Sequence, residues 1–154
     1  VLCAQSFHWF RVPEALAEFH RVLAPAGRLA IMWNSRDRSD PLTLGYVQAL
    51  HAVQGEHPVE TMPFDPQALA KSGRFAAPRA VRVPHRQVLD RDGLIGRATS
   101  ASYVPREGER FRRLCELLLA LWERERDSEG RVTMRYVTEV YVAEPREAGS
   151  VPAR

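Results

Sequence analysis

The sequence predicts an α/β fold: a mostly parallel sheet with helices on both faces. Strand-like and helix-like stretches alternate along the chain, the pattern of crossover connections between parallel strands. One stretch, Arg28 to Trp33, is nearly continuously apolar, as a strand covered on both faces must be. The stretches between strands carry apolar residues at three-to-four spacing, one stripe per helix.

Each element has its own signal. Val1 to Ala4 is short and apolar and reads as the tail of a buried strand, residues 1–5. Pro13 opens a helix over 13–24 at a position where a missing N–H costs nothing. Its stripe is Ala15, Leu16, Phe19, Val22 and Leu23, and Pro25-Ala26-Gly27 stops it. The strand 28–34 follows, then a polar loop from Asn34 to Ser39. Asp40-Pro41 is a cap with a first-turn proline, and Leu44, Val47, Leu50 and Val53 carry the next helix. Asp65-Pro66 repeats that signature, and Gly73 closes a short helix. Arg79 to Leu89 alternates as a strand with one wet face. A short helix follows over 92–100. Glu107 to Arg126 is the clearest helix, with Phe111, Leu114, Leu117, Leu118, Leu121 and Trp122 as its stripe. Arg131 to Ala143 alternates again. Residues 144–154 are polar and read as a disordered tail, leaving 1–143 as the domain.

Composition bounds the function. At 154 residues with 45% hydrophobic and 27% charged residues, the chain has room for one globular domain with an adequate core. No run approaches the roughly 18 apolar residues of a membrane helix, and the first residues lack a signal-peptide pattern. Cys3 and Cys115 are too few for a disulfide framework, so a reducing cytoplasmic setting is expected. His20, His51, His57 and His85 show no metal-ligand spacing with one another or with the cysteines, and no metal is expected. Of the 22 basic residues, 21 are Arg and one is Lys71, a bias that coding composition explains as well as chemistry does. The net charge of +3 is small. Arg74, Arg79, Arg82, Arg86 and Arg91 form a basic run, which reads first as a solvated strand face. Duplex binding through that run is the other reading and predicts steep salt dependence. No nucleic-acid partner is expected.

The run Ala4-Gln5-Ser6-Phe7-His8-Trp9-Phe10, a helix ending Arg21-Val22-Leu23-Ala24-Pro25-Ala26-Gly27, and the strand Arg28 to Asn34 together resemble the class I S-adenosylmethionine-dependent methyltransferases, in the small-molecule type 11 group. Asn34-Ser35-Arg36-Asp37 with Asp40-Pro41, Ser100 to Val104, and Thr138 to Ala143 are similar to later segments of the same group. Ala26 stands where that turn commonly has glycine, and Arg11 where an acidic residue is common. The resemblance implies a Rossmann-like, doubly wound sheet with an antiparallel last strand, of which this chain is the C-terminal half. It implies that residues 131–143 lie antiparallel beside 28–34, with 79–89 outside. Such enzymes hold the cofactor with a Gly-rich loop and a ribose-binding acid. No Gly-x-Gly occurs here, and residue 1 is Val, so a piece of a longer protein is expected, beginning inside the fourth strand and inactive alone.

The resemblance also implies a site. Ligands bind beyond the carboxyl ends of strands where strand order reverses. Ala4, Gln5 and Ser6 then form one wall of the S-adenosylmethionine crevice, or merely begin a loop. His8, just past the strand, is the candidate base, or a packed structural residue beside Trp9 and Phe10. Trp33, Asn34, Arg97 and Tyr103 are candidates to line the pocket of a small-molecule methyl acceptor. The competing reading is a non-catalytic truncated module, or pseudo-enzyme, that folds only with a partner.

Overall fold

A computed structural model describes residues 1–55 and 64–146. In chain order the elements are β1 (Leu2–Ala4), a 3-10 turn (Phe7–Trp9), α1 (Val12–Val22), β2 (Leu29–Arg36), α2 (Pro41–Gln54), α3 (Gln67–Lys71), β3 (Arg79–Leu89), α4 (Arg91–Thr99), α5 (Gly108–Glu125) and β4 (Val132–Ala143). The four strands form one sheet in the order β1-β2-β4-β3. The fold is α/β with a mixed sheet, as expected.

β1 and β2 are parallel, with Cys3 opposite Ile31 and Ala4 opposite Met32, and α1 is the crossover between them. β4 runs the other way. Its partners on β2 fall in number as its own rise: Asn34 meets Thr138, and Arg28, just before β2, meets Glu144. Phe75, ahead of β3, bridges Pro145 in antiparallel fashion. The order implied by the resemblance is therefore realised.

The chain divides into two compact units. The first is Val1–Ser35, Pro63–Val83 and Thr138–Arg154. Its core gathers Cys3, Phe7, Leu16, Leu29, Ile31, Leu69, Phe75 and Ala143. Glu144 and Arg146, which sequence composition puts in the tail, are held by backbone bonds here: Ala76 N donates to Glu144 O at 2.9 Å and Arg146 N to Arg74 O at 2.8 Å. The rest of that segment, 147–154, lies outside the described residues.

The second unit is Arg36–Met62 and Pro84–Val137. Its core joins Leu42, Tyr46, Val47 and Leu50 of α2 to Leu94 and Ala98 of α4, Leu114, Leu118 and Leu121 of α5, and Val132, Met134 and Tyr136 of β4. Gly45 permits the close approach of α2 and α5, since a Cβ there would sit 2.7 Å from Leu121 Cδ1. Asp40 caps α2, its Oδ2 accepting from Thr43 N at 2.9 Å and from Thr43 Oγ1 at 2.7 Å. This satisfies one of the helix's orphan donors.

Two elements differ from expectation in extent and one in exposure. β2 continues through Asn34, Ser35 and Arg36, which the sequence marks as loop. The Asn34 and Ser35 side chains find polar partners on β4, so the ladder carries on. β1 stops at Ala4 because Gln5 turns to positive φ. β3 is exposed along nearly its whole length, including Val81, Val83 and Val88, where alternation predicts one covered face.

Candidate functional site

The carboxyl end of β1 is an unusual piece of backbone. Gln5 adopts φ 53°, a left-handed conformation that residues other than glycine seldom take. Two bonds to β2 hold it there. Gln5 N donates to Met32 O at 2.9 Å, and Gln5 Oε1 accepts from Asn34 N at 3.2 Å. Strain of this kind persists where surrounding structure enforces it, and it concentrates at functional sites. Ala4 and Gln5 are exposed and Ser6 is half-buried. Ser6 precedes the 3-10 turn but does not cap it with its side chain.

The turn is anchored by Phe7, which is buried and meets Phe64 edge-on at 5.4 Å between centroids. The anchor fixes His8 between two indoles, with centroids 4.5 Å from Trp9 and 5.3 Å from Trp33. Neither His8 ring nitrogen has a hydrogen-bond partner, nor does Trp33 Nε1, and all three atoms are shielded from solvent. Phe10 packs edge-on against Phe19 of α1 at 5.7 Å, as a loop-packing residue should. Trp9 is 69% exposed and touches His8 instead.

Asn34 bonds across to β4. Its Oδ1 accepts from Thr138 Oγ1 at 2.7 Å. Next along β2, Ser35 Oγ donates to Glu139 Oε2 at 3.1 Å, and Arg82 Nε lies 3.2 Å from Glu139 Oε1. Burial and then the Glu139 charge push the Tyr141 hydroxyl up, with Arg82 opposing. Pleat alternation sets Trp33, Ser35, Glu139 and Tyr141 on one sheet face. His8 and Trp33 are thus brought together at the ends of β1 and β2, beside the Gln5 turn, while the Asn34 side chain lies on the opposite sheet face with Thr138. Thr138, Glu139 and Ser35 are additions that the sequence reading missed. The signal was there: Thr138-Glu139 is a polar pair inside an otherwise apolar alternation.

Arg97 and Tyr103 lie in the second unit. Arg97 Nε donates to Tyr136 Oη at 3.3 Å, and its Nη1 donates to Ser100 Oγ at 2.9 Å. Tyr103 is half-buried against that unit's core. Among the described residues no group of three histidine, cysteine or acidic side chains is set to hold a metal. No helix there is long and apolar enough to cross a membrane. Burial pushes the Cys3 thiol up, away from the thiolate that reactive cysteines need.

Comparison with known proteins follows the fold. A structure from Anaeromyxobacter dehalogenans, provisionally named a type II methyltransferase, superposes with a TM-score of 0.51 at 16% identity, over 92% of this chain and 61% of that one. The chain has a methyltransferase fold. Over 55 residues it is 49% identical to an uncharacterized methyltransferase of Schizosaccharomyces pombe, which covers 36% of this chain and 22% of the relative. Over 41 residues it is 56% identical to a methyltransferase-like protein of the same yeast, 27% of this chain and 16% of that one. An uncharacterized methyltransferase of Mycobacterium tuberculosis matches at 44% over 55 residues, 36% and 21% of the two chains. The matches span about a fifth of these curated relatives' length. No family model matches the chain.

Proposed function

We infer that the chain is the later part of a class I, type 11 S-adenosylmethionine-dependent methyltransferase domain acting on a small-molecule acceptor. The relatives carry this reading: each is named a methyltransferase or methyltransferase-like, at 44% to 56% identity over the matched stretch.

The residues at the end of β1 fit one wall of a cofactor crevice. Ala4 is small, Gln5 is turned by its left-handed backbone, and the Ser6 hydroxyl is not spent on capping. S-adenosylmethionine, when bound, supplies an electrophilic methyl on a sulfonium. This chain's residues then orient the acceptor and manage its proton. Trp33 offers an apolar wall, and the Asn34 backbone, tied to Gln5, holds the end of β2 against the turn. His8 is the candidate base, since its ring nitrogen that carries no proton is unpartnered and can take the acceptor's proton. The Gly-rich loop and ribose acid used by such enzymes are not among these residues, so the remaining contacts are assigned to other parts of the full-length protein.

The test uses the full-length protein with methyl-labelled S-adenosylmethionine and a panel of small hydroxyl, amine, thiol and carboxylate acceptors. Labelled acceptor is the expected result. Cofactor consumption with label only on macromolecules would reject the small-molecule assignment. No transfer and no cofactor binding would reject the methyltransferase reading itself.

A further inference from the structure

β4 places a carboxylate beside the aromatic end of β2. The Glu139 side chain is only 22% exposed. A carboxylate withdrawn from water costs free energy unless its bonds are met, and such groups gather at functional sites. Two contacts hold this one. Ser35 Oγ donates to Oε2 at 3.1 Å, and Arg82 Nε lies 3.2 Å from Oε1. A carboxylate has about four acceptor positions, so about half of them stay open among the described residues.

The neighbours of Glu139 all belong to the first unit. The antiparallel pairing that sets Asn34 beside Thr138 sets Trp33 beside Glu139, and such direct neighbours stand about 4.5 to 5.5 Å apart at Cβ. Trp33 carries His8 against its ring, 5.3 Å between centroids. Further along the same face, Tyr141 meets Phe64 edge-on at 5.0 Å, and Phe64 meets Phe7. The face runs from buried Leu29 and Ala143, through half-buried Trp33 and Tyr141, to exposed Ser35. An apolar floor therefore ends at a carboxylate within reach of solvent. Because β4 lies between β2 and β3, a molecule resting on Trp33 meets Glu139 before Arg82. The Arg82 side chain is 69% exposed, so solvent screens its charge more than it screens that of Glu139.

We propose that Glu139 accepts a hydrogen bond from an O–H or N–H of the methyl acceptor, whose apolar body lies on Trp33. The donor-binding site stands on the sheet geometry, and only its assignment to the methyl acceptor rests on the methyltransferase reading. The acceptor is then an alcohol or an amine rather than a carboxylate, which Glu139 repels. A site built to bond an O–H or N–H also rejects analogues that lack one.

The test titrates the full-length protein with benzyl alcohol, benzylamine and benzoate, and follows the Trp33 indole N–H by NMR. Saturable shifts are expected with the alcohol, the amine or both, and the tighter of the two identifies the donor. Benzoate should bind about tenfold more weakly or not at all. This ranking needs no variant, so it holds even if a substitution disturbs folding. Glu139→Gln should weaken the tighter ligand by about tenfold. Arg82→Gln should tighten benzylamine several-fold, because it removes the charge that offsets Glu139. A purely structural ion pair would instead weaken binding in both variants, and that result would overturn the proposal. So would benzoate as the tightest ligand, equal affinity in Glu139→Gln and the parent protein, or no saturable shift with any of the three. Binding that depends on Glu139 in a protein that transfers no methyl group would keep the site and refute only its assignment to a methyl acceptor.

Discussion

The imidazole of His8 packs against the indole of Trp33, with ring centroids 5.3 Å apart and planes tilted by 34°. The contact joins the turn after β1 to the end of β2. It also buries both imidazole nitrogens without partners, so packing and proton transfer make different demands on one ring. His8→Phe should keep the packing and change stability by less than about 1 kcal/mol. His8→Ala should cost about 1 to 2 kcal/mol, less than a fully buried aromatic would. If His8 is the base, His8→Phe lowers kcat of the full-length enzyme by about 100-fold or more. Denaturant unfolding beside a methyl-transfer assay separates the two roles, and unchanged kcat in His8→Phe would leave His8 as packing alone.

Tyr46 combines burial with an unmet hydroxyl. Removing that hydroxyl should stabilise the chain by about 1 to 3 kcal/mol, the cost of an unsatisfied buried polar group. Urea unfolding of Tyr46→Phe measures it. A loss of stability would show that the hydroxyl is bonded in solution.

The same residue makes stability depend on alkaline pH. Burial raises its hydroxyl from 10 to about 12, so the folded state holds the proton where the unfolded state releases it. The stabilisation is complete below pH 10 and is lost as pH rises from 10 to about 12, amounting to about 3 kcal/mol. Absorbance at the tyrosinate band should show one tyrosine of the four ionising last, and Tyr46→Phe should remove that late step. Simultaneous ionisation of all four below pH 11 in the folded chain would contradict it.

Thr43 is fully buried and serves two partners at once. It donates from Oγ1 to Asp40 and accepts from Arg135 N at 3.0 Å. Thr43→Val keeps shape but leaves the Arg135 N–H unmet, at about 1 to 3 kcal/mol. Asp40→Ala removes the cap of α2, at about 1 to 2 kcal/mol. Because both act through one network, the double variant should cost less than the two single losses added together. Full additivity in thermal unfolding would show that the network does not couple.

Much of the architecture was legible in the sequence. Periodicity placed α1, α5 and β4, which bury one stripe or face, while short apolar runs and Asp-Pro caps placed β1, β2, α2 and α3. The order of β3 and β4 came from family resemblance, since no local signal fixes which edge a strand joins. The extension of β2 was not legible. Asn34 and Ser35 are poor strand formers, held by Thr138 and Glu139 more than a hundred residues away. In α2, apolar residues occur nearly all round the helix. The stripe chosen from spacing contained Leu44, which is exposed, and omitted Tyr46, which is buried. For the candidate site, the resemblance singled out Gln5, His8, Trp33 and Asn34. The partners that position them were not legible, because cross-strand hydrogen bonds leave no periodic trace.

Photo-crosslinking of labelled S-adenosylmethionine to the full-length protein, with the labelled peptide mapped, tests the account most directly. The account predicts label on the peptide containing Ala4, Gln5 and Ser6, displaced by the demethylated cofactor. Failure of the cofactor to bind at all, or label confined to peptides remote from the end of β1, would contradict it.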